Sequence, residues 1–366
     1  MAALLLRFRS LLFAVCLLAL FMSPLVWMAL TSVKSSSQIA TRPADVLPSD
    51  LTVERGGVDV EVNIQTQIKG PAFLVEDAAN GITALIAEAD WQRMTSRNET
   101  RGLTVLETLP EAGTTYYIVK SVGETPESFV VSEGELDRTL TLHTENFGEA
   151  VVQLGDFKRY LWHTLFVCFM QLLGQVLAAS AAAYGFAVLE WRGREKLFTL
   201  LLATMMIPFP VLMIPLYDLF RSLGWLGSLK PLWVPALFAS AFNVFLLRQF
   251  FLGLPKSLFE AARLDGCGEL RILWTIVMPI SKPVITTIVL FQFLFAWNDF
   301  LGPLIFLTDR QDYTISLALQ FFQSQHGGID WNLLMAASLI TAAPIIVVFF
   351  VAQRFLIGGV TMGGMK

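Results

Sequence analysis

The sequence predicts an all-α polytopic membrane protein with six transmembrane helices and an extracytoplasmic α+β or β-rich insert between the first and second spans. Three observations predict it. Of 366 residues, 55% are hydrophobic and only 15% charged, with a mean hydropathy of +0.60, whereas soluble domains carry about 25% charged residues. Six apolar runs are each long enough to cross a hydrocarbon core of about 30 Å as a helix. Charge is also unevenly placed. Residues 49–146 hold seventeen acidic side chains against seven basic ones, a net of −10, and the remainder holds nineteen basic against thirteen acidic, a net of +6. An acidic soluble domain set into a basic membrane protein accounts for that split. The chain therefore divides into an N-terminal segment with the first span (1–48), the insert (49–146) and a five-helix core (147–366) that includes a polar loop at 253–283.

The first apolar run, 11–30, contains no charged residue and follows Arg7 and Arg9. It is longer than the apolar region of a cleaved signal peptide and ends in Trp27-Met28-Ala29-Leu30, a poor cleavage site, so a retained span is expected. In the insert, 58–65 alternates apolar and polar residues as a half-buried strand does. Residues 116–122 and 129–131, rich in aromatic and β-branched side chains, read as further strands. Ile82, Leu85, Ile86 and Ala89 fall on one helical face and predict a helix there. About 100 residues suffice for such a domain to fold by itself.

Five more apolar runs follow at about 160–189, 197–220, 232–252, 284–307 and 333–357. Pro208, Pro210 and Pro215 predict a kinked or broken third span, and Pro344 lies in the sixth. With a cytoplasmic N-terminus, one side collects Arg7, Arg9, Arg192, Arg194, Lys196, Arg248, Lys256, Arg263, Arg271, Lys282, Arg354 and Lys366. The short loops opposite hold Arg221, Lys230 and Arg310, besides Lys34 and Arg42 after the first span and Lys158 and Arg159 before the second. The positive-inside bias then places both termini and the 253–283 loop in the cytoplasm and the insert outside. The expected location is a bacterial inner membrane.

Between 257 and 283 a polar segment interrupts the apolar spans. Ser257 followed by Glu260 predicts a capping box. Gly266 is placed to end that helix in the left-handed conformation, and a second helical run from Glu269 to Val277 is expected to close at Pro279. Glu260-Ala261-Ala262, then Asp265-Gly266, Ile276 and Pro279, resembles the EAA loop of ABC importer permeases. On the residues of the loop alone, an ordinary capped cytoplasmic helix pair is the alternative. Ala203-Thr204-Met205-Met206-Ile207-Pro208, Ile214-Pro215-Leu216-Tyr217, the run from Phe245 to Phe251, Trp297-Asn298-Asp299-Phe300 and the tail from Gln353 are similar to the sugar-type permeases related to the maltose-system subunit. The likeness is loose over 1–49 and close over 146–366. It departs at the insert, far larger than the family's usual first external loop, and at Val360-Thr361-Met362-Gly363-Gly364, which only approximates the family's tail and puts that tail's contact with the ATPases in doubt.

What the resemblance implies is a permease subunit moving a sugar, oligosaccharide or related polyol by alternating access, α-glucoside-type permeases being one branch with a large insert. It implies a homologous second permease, two ATPase subunits that hold the ATP and Mg, and an extracytoplasmic solute-binding protein. No cofactor, metal or nucleic acid is expected on this chain. Carried onto this sequence, Glu260, Ala261, Ala262, Arg263, Asp265 and Gly266 couple to the ATPase.

Nothing in the residues supports an enzyme. No GxxxxGK[ST] phosphate loop occurs, and His143, His163 and His326 are scattered too widely for a metal site or a triad. Cys16, Cys168 and Cys267 have no metal or disulfide spacing. Within the spans, Asp299 is an ionisable group in an apolar run and thereby a functional candidate. Asn243, Gln292, Trp297, Asn298 and Asp299 are the candidate substrate pathway, with the alternative that Asp299 only caps or fixes a bend near Gly302-Pro303. Gln171 and Gln175 read as interhelical hydrogen-bonding residues. On the residues alone, a secondary transporter or channel without an ATPase, or a membrane-anchored sensor working through the insert, stays open.

Overall fold

The computed structural model describes residues 2–55, 57–77, 82–97, 103–109, 114–122, 127–322 and 329–362. His326 and the last residues of the tail, 363–366, lie outside the described residues. The chain forms two compact units, one of residues 1–150 with 322–339 and one of 151–321 with 340–366.

The first unit begins with helix α1, Ala2–Ser32, and carries eight strands among the described residues. Strands β1 (Asp50–Arg55), β2 (Val58–Lys69), β6 (Thr115–Ser121), β7 (Ser128–Ser132) and β8 (Asp137–Thr139) make one antiparallel sheet in the order β7-β6-β2-β1-β8. Strands β3 (Ala72–Asp77), β4 (Ile82–Ala87) and β5 (Leu103–Leu109) make a second, in the order β4-β3-β5. The alternation expected at 58–65 is realised: Val62 is buried while Asp59, Glu61 and Gln65 face out. Val62 packs with Leu51, Val53, Val119 and Val131 in one core. A second core joins Ala72, Leu85 and Leu109 of the small sheet to Tyr116 and Ile118 of the large one.

One expectation is corrected here. Residues 82–87 are strand β4, and the helix begins only at Glu88, running to Ser96. Leu85 pairs with Leu74 of β3 and is buried. Two of the four apolar residues are isoleucines that suit a pleated surface, and cross-strand packing overrides a weak 3.6-residue period.

Polar contacts tie the foot of this unit together. The Asn146 amide donates to the carbonyls of Ser32 and Lys34 at 2.8 and 2.9 Å, and its own oxygen accepts from Asn332 at 3.2 Å. The His143 ring lies between Asp50 (2.9 Å) and Glu145 (2.6 Å). Burial alone would lower the imidazole pKa, but hydrogen bonds to both carboxylates and their charges outweigh it, and the pKa is raised above its ordinary 6.5. A pKa raised by folding stabilises fully below the unfolded value, and that stabilisation is lost as pH rises through the folded one. The excess melting temperature of the wild-type chain over His143→Gln should therefore shrink between pH 6.5 and 9. A difference that stays constant with pH would show that the ring's charge contributes nothing.

The second unit is helical. Helix α2 spans Phe157–Ala187. Helices α3 (Arg194–Thr204) and α4 (Phe209–Ser222) are bent by 97° where Pro208 stands extended, as the prolines predict. The fourth apolar run is also broken. A short helix at Lys230–Trp233 and a 3-10 turn at Val234–Phe238 end at Ala239, whose φ of 54° is left-handed. Ser240 then caps helix α5, Ala241–Leu252, its hydroxyl accepting from the Asn243 N–H. Helix α6 is Lys256–Leu264. After a π turn over Leu273–Val277, an 82° bend leads into helix α7, Lys282–Trp297. Helix α8, Trp331–Met362, belongs to this unit from residue 340 onward, contains Pro344 and closes the described chain.

Among the described residues, four helices are long and apolar enough to cross a membrane, or up to six if each bent pair is one span. The fifth apolar run does not continue as one helix to 307. It stops at Trp297, where the Asn298 backbone N–H and side-chain amide both donate to the Leu294 carbonyl, and a short helix restarts at Leu301–Phe306.

Candidate functional site

The loop at 253–283 is anchored from beneath. On α6, Phe259 and Ala262 are buried in the core formed by Tyr184, Phe186, Phe251, Ile272 and Val277. Glu260, Ala261, Arg263 and Asp265 face out, and Leu264 is 89% exposed. One stripe of the helix is thus held by the protein and the other is presented.

The expected capping box does not form. Pro255, with φ −61° and ψ 128°, is the N-cap, so the helix begins at Lys256 and places Ser257 inside it, with no side-chain cap. A proline already near helical φ starts the helix sooner than the serine would. The glycine end is realised. Gly266 has φ +76°, and the Cys267 N–H reaches back to the Ala262 carbonyl at 3.0 Å, the bond of a left-handed helix stop. Pro279 does not close the second run, because it sits in the first turn of a short helix, Met278–Ile280, where a missing N–H is harmless.

Two residues outside the sequence-based candidates complete this site. Glu269 accepts from Arg263 Nε at 2.8 Å and Nη2 at 3.4 Å, and from the Tyr184 hydroxyl of α2 at 2.5 Å. The Arg263 guanidinium first, then the Tyr184 hydroxyl, holds the Glu269 carboxyl below the usual carboxylate range. Phe259 lies against the Tyr184 ring, centroids 6.4 Å apart. The presented helix is therefore tied directly to α2.

Helix α2 also lines a cavity of about 650 Å³. The polar lining is Gln171 and Gln175 of α2, Ser240, Gln292 of α7, Asn298 and Asp299, and the apolar lining includes Phe209, Phe220, Phe295 and Phe300. The amides are ordered. Gln292 donates to Gln171 Oε1 at 2.7 Å, and Gln171 donates on to the Leu232 carbonyl at 2.8 Å. Gln175 Oε1 accepts from the Ser240 N–H (2.8 Å) and from the buried Asn243 amide (3.1 Å). The glutamines hydrogen-bond between segments as expected, and they face the cavity as well.

Of the five pathway candidates, Gln292, Asn298 and Asp299 come together on this wall. Asn243 stands behind it as a support for Gln175. Trp297 lies outside the lining, buried, with its indole N–H on the Thr341 carbonyl at 3.0 Å. Asp299 Oδ1 accepts the Gly302 N–H at 3.0 Å, so the residue does cap the next helix while also lining the cavity.

Residues 174–361 match the family model described as binding-protein-dependent transport system inner membrane component. The arabinooligosaccharides transport system permease protein AraQ of Halalkalibacterium halodurans is 34% identical over 226 residues, 62% of this chain and 80% of the relative. The trehalose/maltose transport system permease protein MalG of Thermococcus litoralis is 31% identical over 211 residues, 57% of this chain and 76% of the relative. In fold, the chain is similar to a bacterial ABC transporter involved in the import of the acidic polysaccharide alginate. The TM-score is 0.53 at 23% identity, over 58% of this chain and 80% of that one.

Proposed function

The chain belongs to the family of binding-protein-dependent transport system inner membrane components, permease subunits of ABC importers and not enzymes, and from that premise we propose how this subunit works. It imports a sugar, oligosaccharide or related polyol by alternating access. Relatives named for arabinooligosaccharides and for trehalose/maltose support that solute class. Six spans cross the inner membrane with both termini cytoplasmic, and the acidic β-rich insert stands outside. The chain pairs with a second, homologous permease, receives solute from a binding protein, and is driven by two ATPase subunits that hold the ATP and Mg.

The observation that carries this proposal is the linkage of the exposed stripe of α6, through Arg263 and Glu269, to Tyr184 on the helix that also lines the cavity. Glu260, Ala261, Arg263 and Asp265 meet the ATPase, while Ala262 seats the helix and Gly266 sets its exit angle. When the ATPase pair closes, α6 moves, and Glu269 passes the displacement to α2. Tyr184 and Gln175 are nine residues apart on that helix, about 14 Å of rise. Gln292, Asn298 and Asp299 then line the route of the solute.

Two variants test it. Gly266→Pro cannot adopt a φ of +76°, because proline holds φ near −65°, and Glu260→Lys reverses a charge on the presented stripe. Both should reduce co-purification of the ATPase subunits and ATP-dependent uptake by about tenfold or more. If association and uptake both survive, the coupling assignment is wrong.

A further inference from the structure

We propose that the cavity bounded by Gln175, Ser240, Gln292 and Asp299 is a solute subsite carried by this subunit itself, selective for uncharged polyhydroxylated solutes over anionic ones. The inference rests on the importer reading and adds to it where the solute sits and which charge class is refused.

The first support is which polar atoms are left over. Gln175 is buried to 6% exposure, and both bonds it makes are to its oxygen, so its amide NH2 has no protein acceptor among the described residues. Gln292 donates its NH2 to Gln171 and keeps its carbonyl oxygen for the cavity. Asp299 commits Oδ1 to the Gly302 N–H and leaves Oδ2 without a donor among the described residues. The Ser240 oxygen accepts from the Asn243 N–H and retains its own proton to donate. A buried amide is normally paired. Here, leftover donors and acceptors face one water-accessible space, and their partners fix their orientation in advance. Alternating donors and acceptors beside aromatic faces such as Phe295 and Phe300 match the hydroxyls and C–H faces of a sugar.

The second support is charge. Among the described residues, the lining holds a carboxylate and no lysine, arginine or histidine. Recognition of a carboxylate or phosphate group needs a cation or clustered N–H donors, and a half-buried carboxylate with no counter-ion in the lining repels a second anion strongly at low effective dielectric. A hydroxyl, in contrast, donates to Asp299 Oδ2 at no electrostatic cost. Asp299 therefore sets the charge specificity of this wall, and Gln175 and Gln292 set the hydroxyl pattern.

The test uses the assembled importer in lipid nanodiscs, with maltotriose and arabinotriose as neutral probes and trigalacturonate as the anionic probe of similar size. Retention of each is measured by equilibrium dialysis. The wild-type complex should hold at least one neutral probe and exclude the anionic one. Asp299→Asn keeps the oxygen that caps Gly302. It should lower the ratio of neutral to anionic retention by at least about tenfold. Gln292→Leu should lower neutral retention by about fivefold without admitting the anion. Preference of the wild type for trigalacturonate, retention of no probe, or an unchanged ratio in Asp299→Asn would each overturn the subsite. ATP-dependent uptake by the same complex reconstituted in sealed proteoliposomes, measured in parallel, decides separately whether the importer reading stands.

Discussion

Replacing Glu269 by alanine should uncouple ATP hydrolysis from transport while leaving the importer assembled. Glu269 is the joint between the presented helix and α2, accepting from Arg263 on one side and Tyr184 on the other. Its side chain and that of Arg263 are 41% and 42% exposed, so the ion pair is partly screened and contributes only about 0–1 kcal/mol to stability. A coupling free energy of about 1–3 kcal/mol corresponds to roughly 5–150-fold in linkage. Glu269→Ala should accordingly lower the solute moved per ATP hydrolysed by about tenfold, with ATPase co-purification retained. Tyr184→Phe keeps the ring against Phe259 and removes one hydrogen bond, and should lower the same ratio by a smaller factor, about fivefold. Glu269→Gln keeps one acceptor oxygen, enough for Arg263 or for Tyr184 but not for both, and should fall between wild type and Glu269→Ala. A purely structural role predicts something else, namely loss of assembled complex with an unchanged ratio in what remains.

That joint shows where the sequence was legible and where it was not. Gly266 was readable because a left-handed helix stop nearly requires glycine, and the observed φ of +76° bears that out. The third span's break was readable because three prolines leave a helix few ways to continue. Strand β2 was readable because strict alternation over eight residues suits a pleated strand and no helix. Ser257 and Glu260 misled because capping depends on where the helix begins, and Pro255 begins it two residues earlier. Residues 82–87 misled because pairing with β3 is a contact that no local window contains. Tyr184 and Glu269 carry no local signal at all. They are 85 residues apart, and nothing in either local stretch points to the other until the fold joins them. The amides behave similarly: Gln171, Gln175, Asn243 and Gln292 stood out one by one as polar residues in apolar spans. Only the structure sorts them into those whose free groups face the cavity and those that orient their neighbours.

The two roles of Asp299, helix cap and cavity wall, can be separated through Gly302. A Cβ at Gly302 would lie 2.5 Å from Asp299 Oδ2 and 3.2 Å from Leu232 Cδ2. The first contact is impossible without displacing the carboxylate, whereas the second involves the end of a side chain that can yield. Gly302→Ala should therefore expel Asp299 from its position and destabilise by about 1–3 kcal/mol, as overpacking does. Asp299→Ala alone removes the cap on the Gly302 N–H, at about 1 kcal/mol. In the double variant the clash has no partner, so the melting temperature of the complex should be higher than the sum of the single losses predicts. Uptake should behave differently, because the carboxylate that faces the solute is gone in Asp299→Ala and displaced in Gly302→Ala. If Asp299 were only a cap, uptake would track stability and recover in the double variant to the level of Asp299→Ala as the melting temperature does, and that level would be close to wild type. If it also contacts solute, the double variant regains stability but its uptake stays depressed by about tenfold, and the two measurements part company at this one residue.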